Sequence, residues 1–452
     1  MARGYDNGPA RFRGLYRACV AFLLALSAAS AHAQLNITVT QGVDRPVPIA
    51  IVPFGWQGSS QAPYDVSGVI TADLGNSGRF DPMSPSDMIS RPTNPAQVNF
   101  QDWRVSDVDY LLIGQMTESG PDNYSIQFQL FNVRSSQQLL AFRLTSERAN
   151  LRAAAHRIAD MVFEELTGIP GVFGTQIAYI SEQRNGDRRL YQLIVADADG
   201  ENRVVIAESP LPLMSPAWSP DGRRLAYVSF EGNQSAVYVQ TLRTGTRERV
   251  SMRAGHNGAP VFSPDGRRLA LTLSLVDGNF DIYTLDLGTQ VLRRLTDHAA
   301  IDSEPAWSAD GEMIYFMSDR SGAPQIYRIP ANADTRATPQ RVTFEGNYNA
   351  RPRVSPDGNY LAVVHRGDQT QGNFRIASVD LRRNGLIEVL SRRGQLDESP
   401  SYAPNGAVLI YATRDRGRGV LATVTSDGRI QQQIESGVGD VREPVWGPFP
   451  RP

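Results

Sequence analysis

The feature that most limits what this chain can become is a short turn sequence that returns in the same setting. Ser219-Pro220-Asp221-Gly222 follows Pro216-Ala217-Trp218 and runs into Leu225-Ala226-Tyr227-Val228. The arrangement recurs behind Pro260, Pro305, Pro352 and Pro400, with turns at Ser263–Gly266, Ser308–Gly311, Ser355–Gly358 and Ala403–Gly406. Another leading proline, Pro444, is followed by Val445-Trp446 and no turn. The leading prolines lie 44, 45, 47, 48 and 44 residues apart. That period, with four short strand signals per unit, marks the blades of a β-propeller.

The repeat has a mechanical reading. Ser, Pro, Asp and Gly suit successive positions of a type I turn: proline presets φ at the second position and glycine takes a left-handed conformation at the end. The strand before the turn carries a large residue two places after its proline (Trp218, Phe262, Trp307, Val354, Tyr402, Trp446) and mostly a small one before that. Small residues suit an innermost strand, because blades converge on the axis. Arg353 breaks the rule and demands a polar channel. The large residues, constant in register, read as packing between blades.

The last inner strand, at Trp446, has no second strand after it. An orphan second strand stands upstream, Thr175–Ser181, followed by Leu190–Val195 and Arg203–Ala207. The expectation is a ring of six blades over 175–452. Its closing blade takes the inner strand from the end of the chain and the outer three from 175–207, which removes an open edge.

Before the ring, hydrophobic patterning predicts a small α/β domain over 34–168. Pro48–Pro53, Tyr110–Met116, Tyr124–Leu130 and Leu139–Leu144 read as strands. Helices are expected behind Asp65, with Val66, Ile70 and Leu74 on one face, and behind Asn150, stopping at Gly168. Residues 169–174 form a linker short enough that the two domains should touch. Residues 1–33 read as a signal peptide: Arg3, Arg11, Arg13 and Arg17, an apolar Ala18–Ala29, and Ala31-His32-Ala33 as the cleavage site. The apolar run is too short to span a membrane, and the periplasm is the expected compartment.

Composition excludes several chemistries. All 45 basic residues are arginine, so neither a lysine Schiff base nor a P-loop lysine is available. The formal charge is −2, and removing a leader of net +3 leaves −5, which is no nucleic-acid footprint. The single cysteine, Cys19, falls in the leader, so no disulfide is expected beyond it. No Gly-x-Ser-x-Gly elbow occurs. His156, His256, His298 and His365 are scattered one per region, and His156, beside Arg157 on a helix, reads as solvated. Asp197–Glu201 has a faint likeness to a calcium loop but lacks its glycine and distant glutamate, and reads as a hairpin turn. No catalytic residue, cofactor or metal site is expected. The competing reading is a propeller hydrolase or lyase with an axial site. A carbohydrate binder would want exposed loop aromatics, for which Tyr348 is a candidate.

Leader, α/β domain, Ile169-Pro170-Gly171 linker and six blades together resemble the TolB family of the Tol-Pal system. Gly42–Pro46, Pro48–Phe54, Leu166-Thr167-Gly168, His256–Pro260 and Ser401–Gly406 carry the resemblance more specifically. Ala309 in place of the turn proline, and Arg353, depart from it. The resemblance implies a non-catalytic periplasmic scaffold linking TolA to the lipoprotein Pal. It implies a part in outer-membrane integrity and in constriction during cell division. Gln34, Leu35, Asn36, Ile37, Thr38 and Val39, which alternate as a half-buried strand would, correspond to the TolA-binding epitope.

Topology places the uniform turns on one rim and the varied connections between blades on the other, where binding is expected. The resemblance puts Pal there, and colicin translocation peptides at the same mouth, and points to His256 and Ser303. The remaining Pal-facing candidates are Met214, Asn257, Glu304, Tyr348, Asp397, Glu398 and Glu443. Glu304, Glu398 and Glu443, with Asp302, Asp397 and Asp440, are expected on the connections at one mouth, where converging carboxylates would favour a cation or a basic partner group.

Overall fold

The computed structural model describes residues 45–450, apart from 59, 60, 276, 277, 393, 395 and 438. The predicted leader and the Gln34–Val39 epitope lie outside the described residues.

The first part is a six-stranded sheet: β1 (Val47–Ile51), β2 (Gly55–Gln57), β3 (Phe80–Pro82), β4 (Tyr110–Gly120), β5 (Asn123–Asn132) and β6 (Gln137–Glu147). β1 runs parallel to β3 and β4, and β4–β5–β6 form an antiparallel meander. Side chains alternate across a strand. Ile49 and Ile51 therefore face helices α1 (Val66–Asn76) and α3 (Leu151–Thr167), while Ala50 and Val52 face Trp103 of the short α2 (Phe100–Val105). Covered on both faces, β1 has to be apolar throughout.

Asp65 caps α1 as expected, its carboxylate accepting the Gly68 N–H at 2.9 Å. Asn150 occupies the cap position of α3, but its side chain makes no capping bond, because the 3-10 turn Arg148–Asn150 already leads into the helix. Gly168 ends α3 in the left-handed region, at φ 71°. The following connector is pinned by Asp160, which accepts the N–H groups of Phe173 and Gly174 at 2.8 and 3.1 Å. A Cβ on Gly171 would fall 2.5 Å from the Asp160 Cα, so the connector can lie this close only with glycine there.

Six four-stranded sheets follow. Three strands of the closing blade come first: β7 (Gln176–Asn185), β8 (Arg188–Asp197) and β9 (Val204–Ser209). Five continuous blades cover 213–251, 257–294, 302–341, 348–389 and 398–434. The closing strand, Asp440–Trp446, then pairs with β7, Val445 opposite Ala178 and Trp446 opposite Ile177. Ring closure is therefore as the repeat pattern predicts.

Each Ser-Pro-Asp-Gly turn is the expected one: Gly222 donates to the Ser219 carbonyl at 2.9 Å, and the glycine has φ 68°. The serine hydroxyl in turn bonds Asp221 and takes the Arg224 N–H. Ala309 replaces proline without changing the geometry, with Gly311 donating to Ser308 at 3.0 Å. The large residues do bind blade to blade. Trp218 Nε1 donates to the Val445 carbonyl at 3.3 Å and Trp307 Nε1 to that of Val261 at 3.1 Å.

Candidate functional site

The residue before each leading proline carries the most unusual backbone in the ring. Ser215, Ala259, Glu304, Arg351, Ser399 and Glu443 all have positive φ, between 46° and 56°. At each, the pairing of inner and second strand slips by a bulge, as between Met214 and Ala217 or Ser303 and Ala306. Proline has no N–H for the ladder, so the bulge forms there, and the residue before it swings left-handed. Non-glycine residues in that region cost about 1 kcal/mol or more each. Repeating the cost in every blade turns these side chains towards the axis, where they line the channel with Pro216, Pro260, Pro305, Pro444 and Arg353.

The channel is a balanced ion cluster. Arg351 Nε lies 3.1 Å from Glu304 Oε1 and its Nη2 3.9 Å from Glu443 Oε1, and its backbone N–H donates to Glu304 Oε2 at 2.9 Å. The guanidinium also donates to Ser399 Oγ, and Glu443 accepts the Ser215 N–H. Burial alone would lower the Arg351 pKa, but the charges of Glu304, Glu443 and Glu398 outweigh it and hold it above its ordinary value. Arg353, whose Nη1 donates to the Pro352 carbonyl at 2.9 Å, is pushed down by burial. The polar channel that Arg353 demanded is present.

This corrects the expected convergence of acids. The candidate acids sit at or beside the starts of inner strands rather than on loops, and only Glu304 and Glu443 reach the channel, with Arg351 between them. Asp302 is fully buried in a two-pronged pair with Arg320, at 2.9 and 2.8 Å. Asp397 is fully buried under Ser391, Thr413 and Arg375. Asp440 accepts the Gly419 N–H at 2.9 Å, and Glu398 lines a separate cleft.

Among the rim candidates, His256, Ser303, Met214, Tyr348, Glu304 and Glu398 are half-buried and present surface at the inner-strand starts. The His256 ring lies 4.9 Å from that of Phe280, and burial lowers its pKa, keeping it neutral. Asn257 and Asp397 are 0% exposed and Glu443, in the channel wall, 7%. Asn257 is a peg for its own loop, accepting from Ser251 Oγ at 2.7 Å and Arg253 N at 3.0 Å and donating to the Arg253 carbonyl at 2.8 Å. Sequence reading missed Arg351 and the channel ring. Register would have revealed them, since all immediately precede the repeated proline.

His156 also needs correction. It is buried rather than solvated, with Nδ1 2.7 Å from Asp73 Oδ2 and Nε2 3.8 Å from Asp197 Oδ2. The Asp197–Glu201 segment is the expected hairpin turn, but Asp197 and Asp199 reach back to Arg152 on α3. His156 and Arg152 thus form the seam between helices and ring. Burial alone would depress His156; the hydrogen bond and charge of Asp73, aided by Asp199, outweigh it and raise the imidazole above its ordinary value. Asp73, His156 and Asp199 offer ligand atoms within 4.8 Å of one another. Arg152, paired with Asp197 and Asp199, already places a positive charge beside this cluster.

Fold and site together define a six-bladed propeller, joined to a small α/β part, whose axial mouth is a neutralised ion cluster ringed by varied side chains. The TolB beta propeller domain matches residues 163–450, and the TolB amino-terminal domain matches 35–139. The Tol-Pal system protein TolB of Xanthomonas euvesicatoria pv. vesicatoria is 45% identical over 433 residues, 96% of this chain and 97% of that one. Its counterpart in Xanthomonas oryzae pv. oryzae is 44% identical over the same length. The crystal structure of TolB from Acinetobacter baumannii superposes with a TM-score of 0.83 at 38% identity, covering 92% of this chain and all of that one. The chain belongs to the TolB family of the Tol-Pal system.

Proposed function

We propose that this protein is a non-catalytic periplasmic scaffold that joins TolA to the lipoprotein Pal. Its role is in outer-membrane integrity and in constriction at division, and its axial mouth also accepts colicin translocation peptides. In this reading residues 1–33 are a removed leader, 34–168 an α/β domain, 169–174 a connector and 175–452 the ring. The observation that carries it is the mouth itself: half-buried His256, Ser303, Met214 and Tyr348 surround a channel whose charged groups pair with one another. Such a surface offers shape and hydrogen bonds to a partner, on loops held by a stiff scaffold. No described helix is long and apolar enough to cross a membrane.

The test is a binding assay against purified Pal and TolA. His256→Asp should weaken Pal binding by roughly 1–3 kcal/mol, as loss of a central contact does. Arg223→Ala, on the opposite rim, should leave it unchanged. Removing residues 34–45 should abolish TolA binding and spare Pal. Equal effects of the His256 and Arg223 changes would put Pal on the wrong face.

A further inference from the structure

An asparagine followed by glycine carries a reaction within itself. The glycine backbone nitrogen attacks the asparagine side-chain carbon Cγ, a C–N bond forms, and the side-chain nitrogen leaves as ammonia. Water then opens the cyclic imide to aspartate or isoaspartate. One water is consumed, one ammonia is released, and nothing is oxidised or reduced. Glycine has no Cβ to shield the attacking nitrogen, and attacker and target in neighbouring residues make the step unimolecular. It needs a glycine N–H that no acceptor holds, a side-chain amide free to turn, and a backbone able to leave its folded shape.

The described residues contain four Asn-Gly pairs, and Asn7-Gly8 lies outside them. Three of the four are held. Asn257 is fully buried with its side chain bonded on both ends, and Gly258 stands opposite Thr272 in the ladder. Gly385, after Asn384, donates to the Asp380 carbonyl at 3.0 Å, and a Cβ on it would clash with the Val342 carbonyl oxygen of the neighbouring blade. Gly406 donates to the Ala403 carbonyl at 2.9 Å, while Asn405 Nδ2 donates to the Pro170 carbonyl at 2.9 Å and its Oδ1 accepts the Ala407 N–H at 3.0 Å.

Asn185-Gly186 differs in every respect. It forms the tip of the β7–β8 hairpin, where Asn185 and Arg188 are the last opposed residues. Gly186, at φ 60°, takes the first place of the two-residue loop, as a type II′ turn requires. Among the described residues no acceptor takes the Gly186 N–H and no group bonds the Asn185 side chain. Both residues are exposed, and nothing lies within 4 Å of where a Gly186 Cβ would be. Freeing Asn185 opens one terminal pair of a ladder, whereas freeing Asn257 opens the inside of a blade.

We propose that Asn185 is a self-modification site: in the folded protein the Gly186 nitrogen converts its amide to a carboxylate, at a rate set by fraying of that last pair. Successive strands of a blade are antiparallel, so this tip lies on the rim opposite the Ser-Pro-Asp-Gly turns, with the connections between blades. Each event adds a negative charge to that rim, facing Arg188. Isoaspartate also routes the main chain through the side-chain carbon, and the extra backbone atom disturbs the hairpin register.

The test incubates the full chain at mildly alkaline pH, folded and, in parallel, unfolded in urea. Mass spectrometry follows each Asn-Gly peptide, and enzymatic methylation detects isoaspartate. In urea the four sites should react alike. In the folded chain Asn185 should outpace Asn257, Asn384 and Asn405 by at least about tenfold, the factor given by about 1.4 kcal/mol of extra opening free energy at the held sites. Asn185→Gln, which would have to close a larger ring, should keep its amide, with a melting curve showing that it is folded. Equal rates at the four sites of the folded chain would overturn the proposal. So would an Asn185 that reacts in urea but not in the folded chain, or a glutamine at 185 that loses its amide as fast, since water rather than the Gly186 nitrogen would then be the attacker.

Discussion

At the scale of single residues, Arg351 governs the axial channel. It bridges Glu304 and Glu443, which lie on different blades, while its own backbone is left-handed. Removing one partner of a part-buried cluster costs more than the pair contributes, because the remaining charges lose their counter-ion. Arg351→Met should lower unfolding stability by about 3 kcal/mol in urea titrations, and adding Glu304→Gln should restore part of it. Unchanged stability in the single variant would show that water, rather than Arg351, neutralises the two carboxylates. The sequence announced Arg353 here, because it broke a visible rule of small residues. It did not announce Arg351, whose position before proline looked like part of a connection. His156 was misread for a related reason. A helical pattern shows which residues share a face, but not that another domain's turn, at Asp197 and Asp199, will cover that face.

At the scale of elements, legibility followed how local the cause was. The turns, the Asp65 cap and the Gly168 stop depend on neighbours within five residues, and they were readable. The acids were not, because Asp302 takes its role from Arg320, 18 residues away in the turn after the second strand, and Asp397 from Arg375, 22 residues away on a third strand. The closing strand lies between these cases: its partner is far away in sequence, but an unpaired last strand and an orphan second strand match only one way. Removing Val445 and Trp446 deletes two pairings with β7 and the Trp446 Nε1 bond to Thr175 Oγ1 at 2.8 Å. The ring should then melt markedly lower than the full chain, since an opened sheet exposes its edge. Superimposable melting curves would mean that each blade is held by its neighbours without the circle.

At the scale of the whole molecule, the seam between helices and ring should respond to pH. The groups around His156 are Asp73 on α1, Arg152 and Asp160 on α3, and Asp197 and Asp199 on the turn after β8. A histidine raised in the folded state stabilises fully below its unfolded value near 6.5 and loses that contribution as pH rises through the folded value. Asp160, pushed up to about 6 mainly by burial, acts with the same sign but is spent by neutral pH. Asp73, raised by its burial, acts with the same sign, so above neutral pH the response belongs to the His156–Asp73 pair. Amide protection over residues 169–174, taken relative to the intrinsic exchange rate at each pH, should fall as pH rises above neutrality in the natural chain and change less in His156→Gln. Equal loss of protection in the natural chain and the variant would mean that His156 does not set the seam's response to pH.

The closing blade also fixes an order of events in time. β7, β8 and β9 leave the ribosome before the five continuous blades, and their partner strand, Asp440–Trp446, follows them all. From Asn185 to Asp440 the growing chain carries the edge of β7 with no strand to satisfy it. Such a nascent protein has an open edge of the kind that captures other extended chains, and its most distant contact is the last it can make. Any factor that shields extended segments during synthesis would find its target on β7, and its release would coincide with the arrival of Trp446.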